Sequence, residues 1–356
     1  MHAKKIIYSI FKKYKVTSIL FTNKNELFYL TKTQFLEFWL LFINKHKYII
    51  CSKIIENQIK KTFNNSDINI VISKYRSFLD ITTEILKKHK SDTLLVDLKY
   101  INADCLIAID KKLNNNRINV KKEIGILDNI RIIKTKDEIN NLKRSSLIIS
   151  NICNTIRKYI KPGLTELDIH YTVLELLARN RVKESFTPII ASGENSANPH
   201  HISSNRKIKN NDILLIDIGC IYNGYCSDLT RTYFLGNIYD GEYKKVFETI
   251  KKVHLNIIKM IKDCVKISYI NKIVNKIINK SGYKNMIIHS VAHGIGIEIH
   301  EAPYFNKNYN NCTELKKYMT IAVEPGIYIN DKFGIRIEDT VLVKKKKSEI
   351  LTSATY

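Results

Sequence analysis

The sequence has no apolar run long enough to cross a membrane. A membrane-spanning helix needs about 20 apolar residues in succession, whereas the longest apolar cluster, residues 35–43, is short and contains Glu37. Residues 1–15 mix lysines with apolar residues and lack the continuous apolar core of a signal peptide. We therefore expect a cytoplasmic protein with no membrane partner.

Paired cysteine motifs are also absent. The sequence contains no C-x-x-C spacing, and its odd number of cysteines would leave at least one thiol unpaired; the seven lie at positions 51, 105, 153, 220, 226, 264 and 312. This pattern predicts reduced and mostly buried thiols.

Arginine is scarce beside lysine, although the net charge is +24, from 58 Lys and Arg against 34 Asp and Glu. Such a charge alone suggests an anionic partner such as nucleic acid. The lysines are spread along the chain, however, and occur with abundant Asn and Ile, a composition typical of an A/T-rich genome. We therefore expect no nucleic-acid partner.

Length and composition indicate two globular domains. The chain has 356 residues, of which 44% are hydrophobic, and this length exceeds the usual size of one compact core. Before residue 130, apolar strand-like segments alternate with helical ones: strands are predicted at 16–22, 47–52 and 93–98, and a helix at 75–88. The alternation predicts a small α/β domain over residues 1–130.

The second predicted domain covers residues 131–356. Helical periodicity runs from Lys136 to Ile160, and a second helix follows Thr165, an N-cap residue with Asp168 three positions on. The loop ASGENSANPHH and a group of strands come next, and the order helix, helix, sheet then repeats. The repeat predicts an internally duplicated α+β domain with a site between its halves.

A hairpin is predicted around Asn223-Gly224, which lies between two β-prone runs. If these two residues form the turn, Asp217 lies opposite Thr230, and Asp228 lies diagonally across from Asp217 on the same face. Their backbones would then be about 7–8 Å apart. Two carboxylates at that distance can hold one or two cations between them.

Asp217 lies within the apolar run ILLIDIG, where an unpartnered carboxylate is costly to bury. An ion pair with Arg231 or a lysine remains an alternative to a metal role for this residue considered alone.

Further acids and histidines occur in apolar stretches marked by Gly or Pro. They are His289, His293 and His300 in HSVAHGIGIEIHEAP, Glu324 in AVEPGIYI and Glu338 in GIRIEDTVLV. Two divalent cations would neutralise the four carboxylates of Asp217, Asp228, Glu324 and Glu338. Carboxylate and imidazole ligands without thiolate favour Mn, Co, Fe or Zn. A pair of such ions can activate water and polarise a carbonyl, which predicts amide hydrolysis.

Five ordered motifs resemble those of the "pita-bread" metallopeptidases, in the branch of Xaa-Pro aminopeptidase (aminopeptidase P) and prolidase. The motifs are ASGENSANPHH, LLIDIGCIYNGYCSDLTRTY, HGIGIEIHEAP, EPGIY and RIEDT, and the resemblance covers residues 130–343. It implies an α+β pita-bread catalytic domain, preceded by a smaller α/β domain that resembles the creatinase/prolidase N-terminal domain.

The resemblance also implies roles for particular residues. Two divalent ions, manganese first among Mn, Co, Zn and Fe, would be bound by Asp217, Asp228, His293, Glu324 and Glu338, with Asp228 and Glu338 bridging them. His200 and His300 would contact the substrate and stabilise the tetrahedral intermediate, and Glu324 would also shuttle a proton. His289 and Arg336 would help to seat a carbonyl or carboxylate on the proline side, although Arg336 could instead serve only as the charge partner of Glu338.

The function implied is hydrolysis of the Xaa-Pro bond at the N-terminus of peptides, with a metal-bridging water as nucleophile. The main alternative is an Xaa-Pro dipeptidase (prolidase), which the motifs do not distinguish. A methionine aminopeptidase and a metal-free pita-bread binding scaffold are less favoured, the latter because all five ligand types are present. Such relatives are commonly dimers, so a homodimer is expected.

Overall fold

The computed structural model describes residues 2–34, 37–237, 241–305 and 313–355. The chain divides into two compact units, Met1–Ile130 and Arg131–Tyr356. A search of the described residues finds no helix with the length and apolar character that crossing a membrane requires. The six cysteines outside the undescribed ranges are free thiols, and four of them are buried.

The first unit is a six-stranded sheet with helices packed against it. The strand order is β4-β3-β2-β1-β5-β6. The strands are β1 (Ser18–Phe21), β2 (Phe38–Ile43), β3 (His46–Cys51), β4 (Asn69–Ile72), β5 (Thr93–Asp97) and β6 (Asn119–Glu123). The helices are α1 (His2–Tyr14), α2 (Lys24–Thr31), α3 (Glu56–Phe63), α4 (Phe78–Lys88) and α5 (Ala103–Asn114).

The sheet of the first unit is mixed, because β1 pairs in parallel with β5 but antiparallel with β2. The predicted strands and the helix α4 are present at the expected places. The apolar cluster at residues 35–43, which has no predicted strand, supplies β2 from Phe38 onward. Five of the six β2 residues are buried, and a strand buried on both faces shows a continuous apolar run instead of alternation.

The second unit contains the remaining elements, apart from a short helix at the boundary between the two units. A short helix, α6 (Asp128–Arg131), precedes the helices α7 (Lys136–Tyr159), α8 (Glu166–Arg179), α9 (Gly241–Met260) and α10 (Ile267–Ser281). The strands of its first half are β7 (Lys183–Glu184), β8 (Ile189–Ser192), β9 (Ile213–Ile218), β10 (Cys220–Tyr222), β11 (Tyr225–Cys226) and β12 (Leu229–Phe234). Those of its second half are β13 (Ala292–Gly294), β14 (Glu301–Tyr304), β15 (Thr320–Val323), β16 (Gly326–Ile329), β17 (Phe333–Arg336), β18 (Asp339–Leu342) and β19 (Glu349–Ile350).

Each half of the second unit packs a pair of helices on strands. Apolar residues of α7 and α8 share one core with β8, β9 and β12, and those of α9 and α10 share another with β13 and β15–β18. The sheet orders are β12-β9-β8, β11-β10-β7 and β14-β13-β15-β18-β19, with β16-β17 as a separate hairpin. The predicted cap of α8 is present as a full capping box, in which Thr165 and Asp168 bond each other's backbone N–H.

The predicted hairpin turn and register are confirmed. Asn223 and Gly224 have φ angles of 47° and 81°, as a two-residue turn with positive φ at both positions requires. Tyr222 pairs with Tyr225, and Thr230 pairs with Asp217. The hairpin therefore turns the side chain of Asp217 and the segment that carries Asp228 toward the same region.

Candidate metal centre and active site

A cavity of about 380 Å³ opens within the second unit. All nine residues singled out by the sequence line it: His200, Asp217, Asp228, His289, His293, His300, Glu324, Arg336 and Glu338. Apolar side chains complete the lining, among them Phe186, Ile189, Tyr304 and Phe305. Residues separated by up to 138 positions in the chain, from His200 to Glu338, thus meet at one place.

Strand pairing explains how these residues meet. The acid Asp217 lies on β9, and Asp228 directly precedes β12, the antiparallel partner of β9. In the other half β13, β15 and β18 are neighbours, so that His293 in β13 lies near Glu324 after β15 and Glu338 before β18. The backbone N–H of Glu338 donates to the carbonyl oxygen of Thr230 at 3.0 Å and joins the two groups of strands.

Three side chains offer donor atoms close enough to share one cation. Those of Asp228, His293 and Glu338 all lie within 4.8 Å of one another. The Nε2 of His293 is 3.6 Å from Oδ2 of Asp228 and 3.8 Å from Oε1 of Glu324. These donor atoms are separated by more than hydrogen-bond distance, as ligands around an ion are.

His293 is held in the protonation state that a metal ligand needs. Its Nδ1 lies 3.1 Å from the carbonyl oxygen of Gly294. A carbonyl can only accept, so Nδ1 carries the hydrogen and Nε2 keeps a lone pair directed at the acids. Burial, with the nearby His300, lowers the pKa of His293 to about 3, so the ring is neutral at pH 7.

The acids of the cavity are buried together and disfavour one another's charge. Burial, followed by repulsion from Glu338 and Asp217, raises the pKa of Asp228 well above its ordinary value. Burial and Glu338 do the same to the pKa of Glu324. Burial and Asp217 raise the pKa of Glu338 to about 8. A positive ion among these carboxylates would reverse the effect.

Two carboxylate oxygens in the cluster are buried without a hydrogen-bond partner among the described residues. They are Oδ1 of Asp217 and Oε1 of Glu338. The second oxygen of each acid does have a partner, since Arg336 donates to Asp217 Oδ2 at 2.7 Å and Thr230 donates to Glu338 Oε2 at 2.7 Å. A buried acceptor of this kind is costly unless a ligand satisfies it. The residues present therefore fit divalent cations.

The ion pairs differ from the alternatives that the sequence left open. Asp217 is paired with Arg336, not with Arg231 or a lysine. Arg231 pairs instead with Asp339 at 2.8 Å, and the ion-pair contact of Arg336 is with Asp217 and not with Glu338. The alternative that made Arg336 the charge partner of Glu338 is therefore wrong, because the guanidinium contacts an acid of another sheet, Asp217 on β9.

A directed chain of hydrogen bonds connects Arg336 to His289. Arg336 donates to the hydroxyl oxygen of Tyr328 at 2.5 Å, and that hydroxyl lies 2.8 Å from Nε2 of His289. Since Nδ1 of His289 lies 2.7 Å from the carbonyl oxygen of Ser290, Nδ1 donates and Nε2 accepts from Tyr328. Burial and the charge of Arg336 lower the pKa of His289 to about 4. Tyr328 is the last residue of the EPGIY motif, and the sequence predicts only a packing or supporting role for it.

A buried ionic cluster supports the segment around His300. No sequence motif predicts this cluster. Glu301 accepts from Arg131 at 2.6 Å and from Lys134 at 2.8 Å. The segment also approaches β13 closely, because a Cβ on Gly294 would overlap the carbonyl oxygen of Ala302. A glycine is therefore required beside His293. The Lys and Arg lie about 170 positions earlier in the chain, beyond the reach of local motif reading.

Comparisons with known proteins agree over both units. The description "Metallopeptidase family M24" matches residues 140–345, and "Creatinase/Prolidase N-terminal domain" matches residues 6–133. A Mycoplasma genitalium protein named "Putative Xaa-Pro aminopeptidase" is 32% identical over 355 residues, which cover 98% of this chain and 96% of that protein. An Xaa-Pro dipeptidase of Pyrococcus furiosus is 33% identical over 282 residues, 79% of this chain and 78% of its own.

Among solved structures, the Xaa-Pro dipeptidase from Bacillus anthracis is similar over the whole molecule. The TM-score is 0.93 at 27% identity, and the match covers 100% of this chain and 98% of that one. The expected fold class, a pita-bread domain preceded by a creatinase-type N-terminal domain, is confirmed by these matches.

Proposed function

Because the chain belongs to metallopeptidase family M24 and carries a creatinase/prolidase N-terminal domain, we propose that it hydrolyses the bond before proline at the N-terminus of peptides, as an Xaa-Pro aminopeptidase. The observation that carries the proposal is the convergence of four carboxylates, three of them buried, and the neutral His293 on one cavity. Relatives named for Xaa-Pro cleavage support the choice of substrate.

Two divalent cations are proposed as cofactors, held by Asp217, Asp228, His293, Glu324 and Glu338. Their four negative charges balance two such ions, and their oxygen and nitrogen donors suit manganese first, with Co, Zn or Fe as other candidates. When bound, the ions would supply Lewis-acid activation of water and of the scissile carbonyl.

The remaining residues supply orientation and proton transfer. The pKa of His300 is lowered by burial, so its neutral ring can donate one N–H to the developing oxyanion of the scissile carbonyl. His200 lines the same cavity and is exposed enough to meet the substrate there. Glu324 would take a proton from the attacking water and deliver it to the departing proline nitrogen as the C–N bond breaks.

The roles proposed for His289 and Arg336 are to seat the proline side of the substrate. Both line the cavity, but the hydrogen bonds through Tyr328 occupy Nε2 of His289 and part of the Arg336 guanidinium. Their contribution to binding is therefore proposed to be mainly the shape of the pocket and its positive charge. A pocket shaped for the ring suits an X-Pro bond, which is a tertiary amide with no N–H to recognise.

A dipeptidase is the second candidate, since relatives of that name are equally similar. The test incubates manganese-reconstituted protein with an Xaa-Pro dipeptide, an Xaa-Pro-Xaa tripeptide and a matched Xaa-Ala-Xaa tripeptide. An aminopeptidase releases the first residue from the proline tripeptide and spares the alanine one. Cleavage of the dipeptide alone indicates a dipeptidase, and cleavage of neither proline peptide contradicts the proposal.

The proposed setting is a reducing cytoplasm, which the free cysteines of the described chain support. The proposed partners are peptides with proline in the second position and a second copy of the chain. Analytical ultracentrifugation at micromolar concentration tests the homodimer, and a monomer there contradicts it.

A further inference from the structure

We propose that Glu166 is a positioning residue that holds the His200 loop, residues 192–204, in the conformation that presents His200 to the cavity. The inference rests on the proposed function only in giving His200 a role in catalysis. Glu166 itself does not touch the cavity: it is the first residue of α8, is 0% exposed, and is not among the described residues that line the cavity.

The carboxylate of Glu166 accepts six hydrogen bonds from residues of the His200 loop. Its Oε1 accepts from the N–H of Ser192 at 2.7 Å, from the hydroxyl of Ser192 at 2.8 Å and from the amide of Asn195 at 3.0 Å. Its Oε2 accepts from Nε2 of His201 at 2.7 Å, and from the N–H and hydroxyl of Ser204 at 3.0 and 2.7 Å. The donors come from both ends and the middle of the loop.

An ionised carboxylate is the side chain that this arrangement requires. Each oxygen faces a backbone N–H, of Ser192 on one side and of Ser204 on the other, and an N–H cannot accept. Both oxygens must therefore be acceptors, and the amide nitrogen of a glutamine would oppose donors. Burial raises the pKa of Glu166, but the hydrogen bonds outweigh it, and the net pKa is below its ordinary value.

The anchor acts one residue away from the group that it positions. His201, bonded to Oε2, follows His200 directly, and the N–H of His200 donates to Oδ1 of Asn198 at 3.1 Å. Within the loop, the hydroxyl of Ser196 accepts from the N–H of Gly334 in β17 at 2.9 Å. The loop is thus fixed at the buried carboxylate and at β17, and His200 lies between these attachments.

A matched control exists in the other unit. Asp97, also buried, accepts backbone N–H groups of Lys99, Gly125 and Ile126 at 2.9, 2.9 and 2.6 Å. It holds a segment of the first unit by the same kind of hydrogen bonds. Asp97→Asn therefore reports what the loss of a buried loop-holding carboxylate does in general.

The test has two independent readouts on Glu166→Gln, Ser204→Ala and Asp97→Asn. The first is hydrogen exchange of the metal-free proteins. Glu166→Gln should accelerate exchange in residues 192–204 at least about tenfold, Ser204→Ala less, and Asp97→Asn should leave that segment unchanged. Unchanged hydrogen exchange of the loop in both Glu166→Gln and Ser204→Ala overturns the proposal. If Glu166→Gln is too unstable to examine, unchanged exchange of the loop in Ser204→Ala overturns it.

The second readout is a double-mutant cycle with His200→Ala in the manganese-loaded enzyme. Glu166→Gln should lower kcat/KM about 100-fold, mainly through kcat, since a misplaced group costs that much. In the His200→Ala background the same change should cost far less. An equal loss in both backgrounds means that Glu166 does not act through His200. If the wild-type protein cleaves no Xaa-Pro peptide, the proposed function fails, while hydrogen exchange still decides whether Glu166 holds the loop.

Discussion

Two buried acidic regions of the second unit differ in how their charge is satisfied. Glu166 has six hydrogen-bond donors around one carboxylate. The cavity gathers four carboxylates, and two of their oxygens are buried without a partner among the described residues. The carboxylate of Glu166 is fully satisfied by protein donors, whereas the cavity leaves two carboxylate oxygens that a cation could satisfy.

The pKa shifts of the two regions have opposite signs for the same reason. Donors on every side lower the pKa of Glu166 in spite of its burial. In the cavity, burial and the neighbouring acids raise the pKa values of Asp228, Glu324 and Glu338. Burial alone therefore does not identify a functional acid. A buried carboxylate that lacks hydrogen-bond donors is the better indicator.

The largest expected effect is at Asp228, whose pKa is raised by burial and by Glu338, Asp217 and Glu324. Asp228→Asn removes a proposed metal ligand, and kcat on an Xaa-Pro-Xaa peptide should fall at least about 1000-fold, because Lewis-acid activation contributes several kcal/mol. The fold should persist, since the change also removes like-charge repulsion. Steady-state kinetics and circular dichroism measure the two results, and full activity would remove Asp228 from the ligand set.

A smaller effect is expected at Arg336, the hydrogen-bond donor to Asp217 in the cavity. Arg336→Lys should lower activity and metal affinity about 10–100-fold, because a lysine cannot bond Asp217, Tyr328 and Thr230 together. Arg179→Lys is the control, since Arg179 is exposed and its ion pair among the described residues is with Glu175 on the same helix. Equal activity of the two variants would show that Arg336 contributes charge alone.

The donor-rich region should behave in the opposite way with pH. The folded pKa of Glu166 lies below its ordinary value of 4.5, so its stabilisation is present above that pH and is lost as pH falls through the folded pKa. The free energy of unfolding of wild type should therefore exceed that of Glu166→Gln by about 2 kcal/mol at neutral pH. This difference should disappear in acid. Urea unfolding of both proteins at several pH values measures the difference. A difference that does not change with pH would contradict an ionised Glu166 carboxylate.

The smallest effect on the cavity is expected from Asp97→Asn, a substitution in the first unit. Asp97→Asn should destabilise the first unit by about 1 kcal/mol through one opposed N–H. Manganese affinity and kcat should remain unchanged, because the contacts of Asp97 are with Lys99, Gly125 and Ile126. Titration calorimetry and kinetics check this, and a loss in either would mean that the units are coupled.

The sequence predicted the hairpin and the second-unit helices well because local rules determine them. Asn223-Gly224 sets the turn and hence the register of Asp217, and Thr165 with Asp168 caps α8. β2 escaped prediction, since a strand buried on both faces has no alternation to detect.

Residues of the cavity were found from short motifs, but their partners were not. Asp217 pairs with Arg336, which lies 119 positions along the chain, and the donors to Glu166 are up to 38 positions away. Such pairs depend on strand order and loop path, which no local pattern specifies. The placement of Glu166 in α8 reads as an ordinary first-turn acid of a helix.

The central claim is that cations bind the four cavity acids and satisfy the two carboxylate oxygens that have no donor among the described residues. Calorimetric titration of metal-stripped protein with Mn²⁺ tests it most directly, with Glu338→Gln and Glu166→Gln measured beside wild type. We predict two ions per chain for wild type and for Glu166→Gln, and a loss of at least one ion in Glu338→Gln. No binding to wild type, or equal binding to wild type and Glu338→Gln, would contradict the claim.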